Sequence, residues 1–304
     1  QGWHLPNLHA RQDAEIAALV DPSAHPSSTF IPGMVSVAEL SARYGGVPCY
    51  SSVDEMIADA PKLAVDGIIC STPHAAHFDV GMKAIDAGLH LLMEKPLTTD
   101  VGEARALLDA ARRRPEQAFL LNNTANWREG TRRVHDIVSE GRIGEVRHVN
   151  CLFATPLGWL FEDPKNAAWV TPSGTMLGNG FGWGQFSHTF AWVFKVTGLT
   201  PRSVYAASTP SVATGADLFN ALTITCTNGA TIVASGVGAI PGENKVVGNW
   251  VFGSRGMLSY SGIARGEGAG EGGFAYEGDV PAAEAAATNT ADRLEFWADD
   301  GTHE

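Results

Sequence analysis

The chain has 304 residues, 44% of them hydrophobic, and a formal net charge of −12 from 21 Lys and Arg against 33 Asp and Glu. That length buries one large core or two modest ones, and the acidic balance repels phosphate backbones and argues against nucleic-acid binding. No apolar run reaches the ~18 residues of a membrane span, and Cys49, Cys70, Cys151 and Cys226 lack Cys-x-x-Cys or zinc-ligand spacing, so they read as buried, unpaired thiols of a cytoplasmic protein.

The chain opens on QGWHLPNLHARQ, without a Met and as if inside a structural unit, which leaves room for a leader peptide upstream. Leu5, Leu8 and Ala10 have helical spacing, and AEIAALVDP predicts a short strand ending at Asp21. The Pro- and Ser-bearing stretch from Pro22 to Gly33 reads as a loop. VSVAELSARYG predicts a helix closed by Gly45, and SVDEMIAD one opened by a Ser52–Glu55 capping box. VDGIICSTP is a continuous apolar run, as in a parallel strand covered on both faces. HFDVGMKAIDAG predicts an amphipathic helix, LHLLMEKP a strand, DVGEARALLDAARRR a helix and QAFLLNN a strand. This alternation predicts a doubly wound parallel sheet whose ligands sit at the carboxyl ends of its strands. Those ends are Asp21, Ser71-Thr72-Pro73, Glu94-Lys95-Pro96 and Asn122-Asn123.

After GTRRVHDIVSEGRIGEV the texture changes to strand-like runs, among them VRHVNCLFA, LFNALTITCT and ATIVASGVGA, with Asn228-Gly229 as a hairpin turn. The expected architecture is α/β: a Rossmann-like domain over residues 1–123, then an α+β domain with an open, mostly antiparallel sheet over 124–304. From Gly266 onward the Gly- and acid-rich sequence reads as a long loop or a poorly ordered arm.

The run STPHAAHFDVGMKAIDAGLHLLMEKPL resembles the Gfo/Idh/MocA oxidoreductases, NAD(P)-dependent dehydrogenases of sugars and polyols. The likeness rests on Thr72-Pro73, His77, Gly88, His90 and Glu94-Lys95-Pro96, and EGRIGEVRHV is similar to the family's passage into its second domain. There are two departures. The family opens with a strand and a G-x-G-x-x-G turn that cradles the pyrophosphate, of which only Gly2 is present, so the first strand of the sheet is missing and two strand edges are expected to lie unpaired. The family's distal Asp-x-x-x-His places Gly184 where the aspartate would stand before His188; Gln185 or Asn179 remains to hold the ring, without charge.

The resemblance implies roles for these residues. Gly2, Asp21, Ser71, Thr72, Pro73, His77, Glu94, Lys95 and Asn123 would bind the cofactor. Asp21 would accept from ribose hydroxyls and repel a 2′-phosphate, favouring NAD over NADP. Lys95 and His188 would be catalytic, the first steadying an alkoxide and the second taking the hydroxyl proton. Lys95, Trp169, Gln185 and His188 would meet the substrate; Trp127, Trp159 and Trp183 are further indoles suited to stacking on a sugar face. Each has a plainer reading: a solvated aspartate before proline, a surface Glu-Lys pair before a helix, a helix-face histidine, a packing indole. His74 and His77 lack a third metal ligand at suitable spacing, so no metal is expected.

The function this implies is NAD-dependent oxidation of a secondary hydroxyl of a sugar, polyol or glycoside, by a homo-oligomer (dimer or tetramer) that binds neither nucleic acid nor membrane. The alternative, motivated by Gly184, is a catalytically weakened homologue that binds sugar or NAD or serves in assembly.

Overall fold

The computed structural model describes residues 1, 4–27, 33–171, 179–242, 244–265 and 290–304, and several of its early helices start where a side chain captures an orphan backbone group. After α1 (His4–His9), α2 (Val37–Arg43) opens on a complete capping box. Ser36 Oγ accepts from Glu39 N–H at 3.2 Å, and the Glu39 carboxylate accepts from Ser36 N–H at 2.9 Å. The box expected at α3 (Val53–Leu63) is only half made. Glu55 N–H reaches Ser52 Oγ at 3.3 Å, but the Glu55 carboxylate goes to Ser51, taking its N–H at 3.1 Å and its hydroxyl at 2.8 Å. α4 (His77–Asp86) follows, and α5 (Val101–Arg112) is capped by Asp100, whose carboxylate accepts from Glu103 N–H at 3.0 Å.

The described residues divide into two compact units, one from Gln1 to Asn122 and one from Asn123 onward. In the first, the parallel strands form two ladders. β1 (Leu19–Val20) pairs with β2 (Cys49–Tyr50), and β3 (Gly67–Cys70), β4 (His90–Glu94) and β5 (Phe119–Asn122) form the other in that order. Among the described residues β1 and β3 each pair with one strand only. β3 therefore departs from the fully covered strand its apolar run predicts: Cys70 is buried, but Ile68 and Ile69 are half-buried and Gly67 is exposed. Its core lies with β4, where Leu91 and Met93 pack with Ala84, Ile85 and Leu107 of the flanking helices. A smaller cluster gathers Met56, Ala60 and Leu89.

The second unit is built on a seven-stranded sheet. α6 (Glu129–Ser139) precedes β6 (Val146–Ala154), and α7 (Gly158–Phe161), α8 (Ala167–Val170), α9 (Phe181–Gly184) and α10 (Phe186–Thr197) come before the remaining strands. These are β7 (Pro201–Pro210), β8 (Asp217–Cys226), β9 (Thr231–Val237), β10 (Asn244–Gly253), β11 (Gly256–Arg265) and β12 (Thr290–Ala298), in spatial order β12-β11-β10-β6-β9-β8-β7. All pairings are antiparallel except β6 with β9. The β8–β9 hairpin turns at Asn228-Gly229, with Gly229 at φ 86°, a left-handed conformation that suits glycine. Val149, Cys151, Ile232, Val251 and Leu258 of the sheet share one buried core with Phe186, Val193 and Val196 of α10.

Two expectations need correction. Cys70, Cys151 and Cys226 are buried, Cys151 deeply enough for its thiol to be pushed up to about 12, but Cys49 is exposed because it lies on a two-residue strand at the rim of its ladder. The region read as a loop from Gly266 falls outside the described residues up to 289, but Thr290–Ala298 is a strand. Its Phe296 is buried on the sheet, the Arg142 guanidinium lies 4.4 Å from that ring, and the backbones of Phe296 and Glu304 exchange hydrogen bonds that cover its outer edge. No helix among the described residues is long and apolar enough to cross a membrane.

Candidate active site

Parallel pairing brings the carboxyl ends of β3, β4 and β5 to one edge of the first unit: Cys70 lies opposite Met93, and Glu94 opposite Asn122. Ser71, Thr72 and Pro73 follow β3, and Lys95 and Pro96, joined by a cis peptide bond, follow Glu94. His77, at the start of α4, ties these loops together. Its ring is fully buried, with Nδ1 2.8 Å from the Pro96 carbonyl oxygen and Nε2 3.1 Å from that of Thr72. A residue so enclosed acts on a ligand only through the loops it braces.

Glu94 is held from both sides. Asn122 Nδ2 donates to its Oε1 at 2.7 Å, and His4 Nε2, on α1, lies 2.7 Å from the same oxygen. Burial pushes this carboxyl up, but the bonds from His4 and Asn122 outweigh it and hold the group below its usual range. The predicted site therefore gains two members, His4 and Asn122. Asn122 carried a signal as a strand-end residue; His4 carried none beyond following Gly2 by two. Gly2 itself lies outside the described residues.

Asp21 follows β1, and its backbone N–H donates to the Tyr50 carbonyl while its Oδ1 accepts from Ser23 N–H at 2.9 Å. Asn123, the first residue of the second unit, is buried, and its amide oxygen finds no partner among the described residues. A buried acceptor of this kind suits a ligand N–H or O–H. Within the first unit, a carboxylate fixed after one strand and polar loops after two others fit a dinucleotide.

His188 belongs to the second unit, in the first turn of α10. Gln185 stands at the joint between α9 and α10, and its carbonyl accepts from His188 N–H at 3.1 Å. Gly184 ends α9, and the segment Asn179–Phe190 contains no acidic side chain. The Trp169 side chain and residues 172–178 lie outside what is described. Trp183 is half-buried, while Trp159 and Trp127 are exposed, Trp127 with Lys195 Nζ 5.7 Å from its ring centre. Among the described residues no group of three or more His, Cys, Asp or Glu is placed to hold a metal.

Comparison with known proteins matches residues 2–121 to the family model described as an oxidoreductase family with an NAD-binding Rossmann fold, and residues 131–259 to the GFO/IDH/MocA C-terminal domain. An uncharacterized oxidoreductase, ORF334, of Rhizobium meliloti is 29% identical over 200 residues, covering 64% of this chain and 55% of its own. The 1,5-anhydro-D-fructose reductase of Ensifer adhaerens is 33% identical over 143 residues, 43% of this chain and 41% of its own. The chain thus spans about half the length of these relatives. The WlbA dehydrogenase of Bordetella pertussis, solved with NADH and UDP-GlcNAcA, shares the fold at a TM-score of 0.66 and 18% identity, over 83% of this chain and 74% of that one.

Proposed function

The chain belongs to the Gfo/Idh/MocA oxidoreductases, and from that premise we propose that it is an NAD-dependent dehydrogenase oxidising a secondary hydroxyl of a sugar, polyol or glycoside. The observation that carries the reading is the Glu94-Lys95-Pro96 turn, delivered to the carboxyl edge of a parallel sheet and braced there by His77, His4 and Asn122. The name of the Ensifer adhaerens relative and the sugar nucleotide bound to WlbA support the substrate class.

Bound NAD would supply the hydride acceptor. Asp21 would take its ribose hydroxyls and disfavour a 2′-phosphate, and the loops at Ser71-Thr72-Pro73 and Asn123 would line its path. Lys95 Nζ donates to the reacting hydroxyl oxygen, lowers its pKa and steadies the alkoxide as carbon gives up its hydride. His188 accepts the hydroxyl proton, and Gln185 or Asn179 orients the ring without lending it charge. Glu94, with one oxygen engaged by His4 and Asn122, serves to hold the strand end that carries Lys95. The first unit is then the dinucleotide-binding domain, and the second supplies substrate contacts and an assembly surface.

The test is reduction of NAD by the purified chain across a panel of free sugars, inositols and UDP-sugars. Lys95→Met is expected to lower kcat about 10²-fold or more, the scale of losing one transition-state donor, with folding kept. Near-normal turnover in that variant removes the assignment. Gly184 favours a second reading, a binding or assembly homologue, and NAD binding without turnover on any member of the panel is its signature.

A further inference from the structure

The glycines before His188 answer to a carboxylate on another element. Asp217 opens β8, and its Oδ2 accepts from the backbone N–H of Gly182 at 2.5 Å and from Asn220 Nδ2 at 2.9 Å. A Cβ on Gly180 would collide with that carboxylate and come within 2.9 Å of the Asp217 backbone nitrogen. One on Gly182 would lie 2.9 Å from Asp217 Oδ2 and 3.0 Å from Asn220 Oδ1. The first turn of α9 therefore lies directly on Asp217, and only hydrogen fits at two of its positions.

The far side of the same turn is fixed by rings. Phe181 and Phe186 are buried, 5.9 Å apart between centres, with Phe153 and Phe161 also against Phe181. Both sit where Gly236 of β9 leaves room, since a Cβ there would come within 2.6 Å of Phe186 and 2.8 Å of Phe181. The α9–α10 joint is thus clamped to β8 and β9 by one carboxylate and two rings, and His188 is two residues beyond Phe186. No acidic side chain lies within Asn179–Phe190 itself.

We infer that Asp217 is a positioning residue: by pinning the first turn of α9 it sets the angle at which α10 presents His188. The inference rests on the reading of His188 as the base. Its mechanism is geometric, since a displacement of about 1 Å in a reacting group costs on the order of 10²-fold in rate.

The experiment uses the full chain and needs no turnover. Hydrogen exchange reports residues 180–190, and the His188 ring is followed in histidine-labelled protein, its resonance identified by its loss in His188→Gln. Asp217→Ala is expected to speed exchange at least tenfold over 180–190, to leave β3–β5 unchanged, and to shift the His188 ring signal. Asp217→Asn keeps an acceptor for Gly182 N–H and is expected to restore both readouts to near wild type. Gly180→Ala, which pushes on the same contact from the other side, is expected to reproduce the loosening, and Gly180→Ala/Asp217→Ala to be no worse than the sum of its halves predicts, and measurably better. An unmoved His188 signal in Asp217→Ala, loosening spread evenly through the second unit, or no rescue by Asp217→Asn overturns the proposal. Should Lys95→Met instead retain turnover, the dehydrogenase reading falls while these results stand as measured.

Discussion

Gly184 stands four residues before His188, across the joint between α9 and α10, and a side chain there is sterically permitted: a Cβ meets nothing within 4 Å, and the backbone lies outside the left-handed region. Gly180 and Gly182 exist for Asp217, whereas Gly184 is under no such constraint. Gly184→Asp is therefore expected to fold normally and to raise the high-pH plateau of kcat/KM several-fold by orienting His188. An anion beside the ring favours the imidazolium, so the pH at which the base must lose its proton moves upward, and the acid limb of the profile shifts to higher pH. An unchanged limb would separate His188 from the proton path. At this scale Lys95, Glu94 and His188 were legible in the sequence as candidates, because each belongs to a short motif near the end of its element. Their supports were concealed, because those are tertiary: His4 meets Glu94 across 90 residues, Asn122 across 28, and Asp217 meets Gly182 across 35.

The elements that position the site are loops after strands, and His77 shows how one is held. Removing its ring by His77→Leu leaves whichever of the Pro96 and Thr72 carbonyls the ring N–H bonds without its partner, and a neutral ring has one such N–H. With an unmet acceptor costing about 1–3 kcal/mol, the first unit is expected to lose a similar amount by urea unfolding, and NAD affinity is expected to fall with it, while exchange protection in β8–β9 stays as it was. Unaltered NAD affinity would show that the brace does not reach the cofactor site. Elements with a strong local signal were legible: the alternation of apolar runs and capped helices from β1 to β5, and the Asn228-Gly229 hairpin. β12 was not, since its stability comes from pairing with β11 and from Arg142 and Glu304 rather than from its own pattern. β3 read as more buried than it is, because an apolar run reports what a strand prefers, and its ladder covers it on one edge only.

For the molecule as a whole, acid acts through two opposed effects. Between neutral pH and the pI of about 5.2, the net charge of −12 falls towards zero and self-repulsion relaxes, which favours the compact state. Glu94 then works in the other direction. Burial alone would raise its carboxyl, but the bonds from His4 and Asn122 hold it below the 4.5 of a free glutamate. A carboxyl depressed by folding contributes its full stability above the unfolded value of 4.5, and that contribution is lost as the pH falls through the lower folded value. Resistance to urea is therefore expected to hold or rise slightly on acidification towards pH ~5 and to drop below pH ~4.5, first in amides of β4 and β5 followed by hydrogen exchange. Glu94→Gln keeps the shape and removes the charge, so it is expected to be less stable at neutral pH by about 1–2 kcal/mol and to show a flatter decline in acid. Equal steepness in wild type and variant would mean that other carboxylates govern the acid limb, and that the His4–Glu94–Asn122 cluster positions Lys95 without stabilising the fold.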